Sequence, residues 1–100
     1  MEQFSKRILE MRGSDRLVGG TDFEIPKWLQ DSGVNYVERA EGIMTYTYYR
    51  WYTFPDGAMD HLVFASSNDS VETVTGKECT RKPVDEAYRL SGQWFYVETE

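Results

Sequence analysis

His61 and Cys79 are the single histidine and the single cysteine of the chain, so any imidazole or thiol chemistry has to run through them. Nucleophilic catalysis by a Cys-His pair needs the two side chains in hydrogen-bond reach and a third group to orient the base. Neither residue carries a local signature of that kind. They read as a strand histidine on a sheet face and a small half-buried thiol beside Lys77, Arg81 and Lys82. Those basic neighbours favour the thiolate, so redox sensitivity is the most that Cys79 implies. A structural zinc site takes about four Cys or His ligands, and this chain has two such residues in total. Asp56, Asp60 and Asp69 offer oxygen ligands but lack the Asp-x-Asp-x-Asp-Gly spacing and distal Glu of a calcium loop, and read as a solvated acidic surface. Gly19-Gly20 leads into Thr21-Asp22, with no lysine placed to meet a phosphate. The inventory predicts a protein that is not an enzyme and takes no metal or cofactor.

Two features rise above this background. Tyr46, Tyr48, Tyr49, Trp51, Tyr52 and Phe54 crowd into one segment, and strand alternation divides the segment into two aromatic faces. Even positions put Met44, Tyr46, Tyr48, Arg50, Tyr52 and Phe54 on one side. Odd positions put Ile43, Thr45, Thr47, Tyr49, Trp51 and Thr53 on the other. Helices would cover one face. The second is either a partly exposed Tyr and Thr surface that is simply good strand material, or a contact surface, since Tyr and Trp bring large apolar area with few rotors.

Charge is the other feature. The chain holds 17 acids against 11 bases for a net charge of -6, with a pI near 4.7. That sign disfavours nucleic acid and anionic lipid as direct partners. The acidity is concentrated: from Trp51 through Gly76 there is no Lys or Arg, while Asp56, Asp60, Asp69 and Glu72 lie in that stretch. An acidic rim beside an aromatic strand steers toward a basic surface, although acids of this kind also serve solubility alone.

The elements that must position these residues follow from spacing and turn chemistry. Phe4, Ile8 and Met11 recur at helical intervals, with Gly13 beyond them. Pro26 to Gly33 predicts one or two helical turns that carry Trp28 and Leu29 inward. Val34–Ala40 and Ile43–Phe54 read as strands separated by Glu41-Gly42. Pro55-Asp56-Gly57 is a tight turn into a return strand, Met59–Ala65. Val71–Thr75 fits a strand or a weak helix. Pro83–Leu90 reads as a two-turn helix, with Asp85 and Glu86 in its first turn and Gly92 past its end. A competing reading makes Ser91-Gly92 a hairpin turn between Ala87–Leu90 and Gln93–Val97. Gln93–Glu98 closes the sheet. The expected fold is a single compact α+β domain over residues 1–100: a mainly antiparallel sheet of about four strands with two or three short helices.

The first twenty residues interleave charged and apolar positions, which is not the pattern of a signal peptide or membrane span. With one cysteine and no internal disulfide, a cytoplasmic location is expected, in the host cytoplasm if the chain is viral. The resulting functional expectation is a small acidic protein-binding domain. Tyr46, Tyr48, Arg50, Trp51, Tyr52, Asp56, Asp60, Asp69 and Glu72 would dock on a basic surface of a larger, nucleic-acid-handling protein. Small inhibitors of phage or mobile-element type, such as anti-restriction and anti-CRISPR proteins, offer an analogy of size and charge. Two alternatives stand beside it: a small-ligand binding domain with an aromatic pocket, and a homodimer paired through exposed sheet faces or edges.

Overall fold

The apolar spacing of the first segment is realised as helix α1 (Glu2–Leu9), which buries Phe4, Ser5 and Ile8. It is followed by β1 (Leu17–Val18), α2 (Lys27–Asp31), β2 (Tyr36–Ala40), β3 (Ile43–Tyr49), β4 (Met59–Ala65), α3 (Val71–Thr75), β5 (Val84–Ser91) and β6 (Trp94–Thr99). The structure, a computed structural model, describes residues 1–49, 59–77 and 83–99. Among these residues six strands form one antiparallel sheet in the order β1-β2-β3-β4-β6-β5. The radius of gyration, 12.8 Å, is that of one packed globule of this length, about 13 Å.

The α+β class and antiparallel sheet match the sequence reading, and the strand count rises from about four to six. One extra strand is β1, only two residues long and too short to carry a period. It is held by pairing with β2 and by the Asp22 carboxylate, which accepts from the Val18 N–H at 2.8 Å. The other is β5, which replaces the helix expected at Pro83–Leu90. Only Ala87 in β5 is even half-buried. No apolar stripe is present to hold a helix on the core, whereas pairing with β6 satisfies the backbone. Gly92, with φ 56°, is therefore the hairpin turn and not a helix stop. The competing hairpin reading was nearer, with the turn one residue later, at Gly92-Gln93.

Val71–Thr75 resolves as a helix, because the Ser70 hydroxyl caps it by accepting from the Thr73 N–H at 3.1 Å. In α2 the expectation of two inward residues fails for Trp28. Adjacent helical residues diverge by about 100°, and Leu29 takes the core position at 0% exposure while Trp28 remains 51% exposed. The β2–β3 turn uses Glu41 (φ 51°) and Gly42 (φ 76°), the two positive φ values of a two-residue hairpin.

Each sheet face has its own core. On the first face, Phe4 and Ile8 of α1 and Leu29 of α2 pack on Val37, Met44, Tyr46 and Phe64. On the second face Ile43, Val63, Ala65, Phe95 and Val97 pack with Val74 of α3. Arg39 fastens α1 to the sheet. Arg39 is 7% exposed, and its guanidinium donates to the carbonyls of Ile8 (3.0 Å), Met11 (2.6 Å) and Ser14 (2.6 Å), at the end of the helix and in the chain that follows it.

Candidate protein-binding face

Strand register determines which side chains share a face. Tyr46, Leu62, Tyr96 and Tyr88 are successive partners across β3, β4, β6 and β5. So are Tyr48, Asp60, Glu98 and Glu86, one step along. Both rows lie on the first face. The helix layer covers only their inner end: Tyr46 is fully buried, and Tyr48, Leu62 and Trp94 border that core, half-buried. Beyond this border Asp60, Tyr96 and Glu98 are half-buried, while Glu86 and Tyr88 are exposed, Tyr88 at 45%. The alternation of β4, β6 and β5 thus leaves a shelf of tyrosines and carboxylates beside the helices.

Tyr96 organises the shelf. Its hydroxyl lies 2.9 Å from Asp60 Oδ1 and 3.0 Å from Glu98 Oε2, so one phenolic proton is shared between two carboxylates. Burial first, then these donated bonds and the adjacent negative charge, push the Tyr96 phenol far above its ordinary range and keep it a donor. The Tyr88 ring lies alongside, centroids 5.2 Å apart and planes inclined by 33°. Among the described residues that β4, β5 and β6 place on this face, three are carboxylates and none is Lys or Arg.

The expected site residues are thus dispersed. Tyr48 and Asp60 fall on the shelf. Tyr46 does not: it is fully buried, its hydroxyl 2.5 Å from Ser5 Oγ, because α1 lies over that end of β3. It is a core residue. Glu72, in the first turn of α3, and Asp69, just before that helix, stand on the opposite side of the sheet, where the Asp69 carbonyl accepts from Arg89 Nη2 at 2.6 Å. The continuous acidic rim is therefore split. Arg50, Trp51, Tyr52 and Asp56, with the Pro55-Asp56-Gly57 turn, lie outside the described residues, as do Cys79, Arg81 and Lys82. Tyr88, Tyr96, Glu86 and Glu98 were missed because Pro83–Leu90 was read as a helix. The signal available was symmetry about Gly92, which has a tyrosine four residues to either side and a glutamate six residues to either side.

The second face is polar at one end but not solvated. Thr45, Thr47, His61 and Thr99 are all at most 4% exposed, which corrects the expectation of a partly exposed surface at Thr45 and Thr47. His61 lies between two hydroxyls, Nδ1 2.9 Å from Thr47 Oγ1 and Nε2 2.9 Å from Thr99 Oγ1. Both ring nitrogens are thereby fixed, an arrangement that anchors an imidazole across three strands. Alongside, the buried Glu38 carboxylate takes Arg16 Nη2 at 2.6 Å, Arg16 Nε at 2.8 Å and the Tyr36 hydroxyl at 2.8 Å, which ties the residue before β1 to β2. No group of three or more His, Cys, Asp or Glu is placed to hold a metal ion among the described residues. No helix among them is long and apolar enough to cross a membrane.

Comparison with protein families, with curated proteins and with solved structures found no match.

Proposed function

We propose that this protein is a binding module whose contact surface is the shelf of β4, β6 and β5, and that its partner is a larger protein presenting a basic surface. The observation that carries the reading is the composition of the shelf: Tyr88 and Tyr96 beside Asp60, Glu86 and Glu98, with no Lys or Arg among the described residues that β4, β5 and β6 place on that face. Tyrosine supplies contact area at low entropy cost, and a patch of one sign supplies steering and selects a partner of the other. Basic grooves are characteristic of proteins that handle nucleic acid, so inhibition of such a protein by occupying its groove is the finer form of the proposal.

Contact through the shelf is favoured over pairing through the β5 edge. Register shifts interrupt β5 between Val84 and Glu86 and again between Arg89 and Ser91. Irregularities of this kind turn an edge away from strand addition. The test is affinity capture from source-cell lysate at low and moderate salt, with wild-type bait beside Tyr88→Ala and Glu98→Lys baits. A partner retained by wild type, lost with both variants and weakened by salt is the expected result. A partner held equally by all three baits would remove the shelf from the contact.

A further inference from the structure

We infer that the groove between the outer sides of α1 and α2 is a second binding site, and that its occupant is a partner-protein segment in which a large apolar side chain stands next to a carboxylate. This goes beyond the shelf, since it rests on other residues and on the opposite charge.

The groove originates in the packing of α2. Leu29 takes the core position at 0% exposure, which turns its neighbour Trp28 outward, 51% exposed. The indole is held there by the buried Phe4 ring, which it meets edge-on, centroids 6.1 Å apart and planes at 86°. Phe4 is held in turn by Phe23, at 6.0 Å and 62°, and by the core on which it packs. Two rings fixed in this way are a preformed apolar surface, which lowers the ordering cost of a contact. Met1, Gln3, Phe4 and Arg7 from α1 and its N-cap, with Pro26 and Trp28 from the start of α2, line a cavity of about 370 Å³.

Charge narrows the occupant. Among the bases of this region, Lys6 pairs with Glu2 at 3.7 Å, Lys27 with Asp31 at 2.9 Å and Arg16 with Glu38 at 2.6 Å. Arg7 is stacked on the Phe4 ring, its guanidinium carbon 5.3 Å from the centroid, and among the described residues it has no carboxylate partner. Stacking uses the flat face of a guanidinium and leaves its N–H edge to donate. No Asp or Glu is among the described residues that line the groove, in a chain whose net charge is -6. An apolar side chain against Trp28 and Pro26, with an anion on the edge of Arg7, is the complement of that surface. Trp28 is half in solvent and Arg7 is exposed, so an occupant keeps one side in water, as a chain segment does. A small-molecule pocket instead buries most of its ligand.

The test titrates isotope-labelled protein with three capped hexapeptides: Gly-Gly-Phe-Asp-Gly-Gly, its Phe-Asn twin and its Gly-Asp twin. The Phe-Asp peptide should move the amides of Gln3, Phe4, Arg7 and Trp28 and the Trp28 indole N–H. It should bind about threefold tighter than the Phe-Asn peptide, the ratio that an exposed ion pair gives. The Gly-Asp peptide should leave these signals in place. In Arg7→Gln the preference for Phe-Asp over Phe-Asn should vanish, and Trp28→Ala should bind neither; both positions are exposed, and the remaining amides report retention of the fold. Equal affinity of wild type for Phe-Asp and Phe-Asn would overturn the carboxylate, and equal affinity for Phe-Asp and Gly-Asp would overturn the apolar side chain. Shifts confined to other parts of the chain, or none at all, would overturn the site and leave the shelf reading untouched.

Discussion

The hydroxyls of Ser5 and Tyr46 lie 2.5 Å apart in the interior, joining α1 to the middle of β3 across 41 residues of sequence. Ser5 also donates to the Met1 carbonyl at 2.9 Å, so the pair continues into the first turn of the helix. A tyrosine whose type suggested an exposed contact is instead the polar tie between the two layers of the fold.

That placement gives the fold an alkaline limit. Burial pushes the Tyr46 phenol from 10.0 up to about 12, a shift that the Ser5 hydrogen bond opposes only in part. A pKa raised in the folded state contributes stability that is complete below the unfolded value and lost as pH rises through the folded one. Stability should thus be flat up to pH about 10 and decline between about 10 and 12, by on the order of 3 kcal/mol from Tyr46. Tyr96, shifted in the same direction, adds to the decline from its start near pH 10. Tyr46→Phe should cost about 1 kcal/mol at neutral pH through the lost hydrogen bond, yet unfold at higher pH than wild type. Circular dichroism and tyrosinate absorbance followed together against pH would show it; an unchanged alkaline midpoint would sink the assignment.

Arg39 makes a second, independent demand. Its three carbonyl acceptors belong to Ile8, Met11 and Ser14, spread along the end of α1 and the chain after it. Lysine keeps the charge but replaces the planar fork with a single ammonium. Arg39→Lys should cost about 1–2 kcal/mol, and Arg39→Ala about 3 kcal/mol, because the latter removes the donors of all three bonds at once. Denaturant midpoints at constant m-value measure both. Equal stability of the Arg39→Lys variant and the wild-type protein would mean that charge, and not the fork, fastens the helix.

The sheet's other face rests on His61. Replacing Thr47 by Val removes the hydroxyl at Nδ1 and leaves that buried nitrogen without this partner, while the nearly equal volume preserves packing. Thr99→Val does the same at Nε2. Each should destabilise by about 1–2 kcal/mol. The double variant should cost less than the two summed, because the ring then loses the orientation that each bond relied on. A strictly additive double mutant would show that the two threonines act separately.

Much of this was legible in the sequence, and the failures share a cause. Elements with a period long enough to read came through, Phe4 and Ile8 on α1 and the β3–β4 pair, as did Glu41-Gly42 as the separator of two strands. Val84–Ser91 did not, because an edge strand exposed on most of its length has no apolar alternation, and Pro83, Asp85 and Glu86 open a helix and a strand equally well. Its pairing partner was written instead in the match of Tyr88 with Tyr96 and Glu86 with Glu98 about Gly92. For the site, strand alternation put Tyr46 and Tyr48 on one face, as the register bears out. Where the helix layer stops on that face is a matter of tertiary packing, and no local pattern in β3 encodes it. The acidic stretch was dispersed for the same reason: Asp60 and Glu72 are near in sequence, but α3 carries Glu72 to the opposite side of the sheet.

That separation supplies the sharpest test of the proposed contact. Glu98→Lys reverses charge on the shelf beside Tyr96, and Glu72→Lys makes the same change in net charge on an exposed turn of α3, behind the sheet. Were the partner drawn only by overall charge, the two variants would slow association alike. If it docks on the shelf, Glu98→Lys should lower the association rate about tenfold or more at low ionic strength and raise the dissociation rate as well, since it places a cation where one is recognised. Glu72→Lys should leave dissociation unchanged and slow association only slightly. The gap in association rates should narrow as salt shortens the screening length to a few ångströms, whereas the gap in dissociation rates persists, because a contact at van der Waals distance is little screened. Stopped-flow or biosensor kinetics across a salt series, with the captured partner, resolves both rates, and equal behaviour of the two variants at every salt would remove the shelf from the contact.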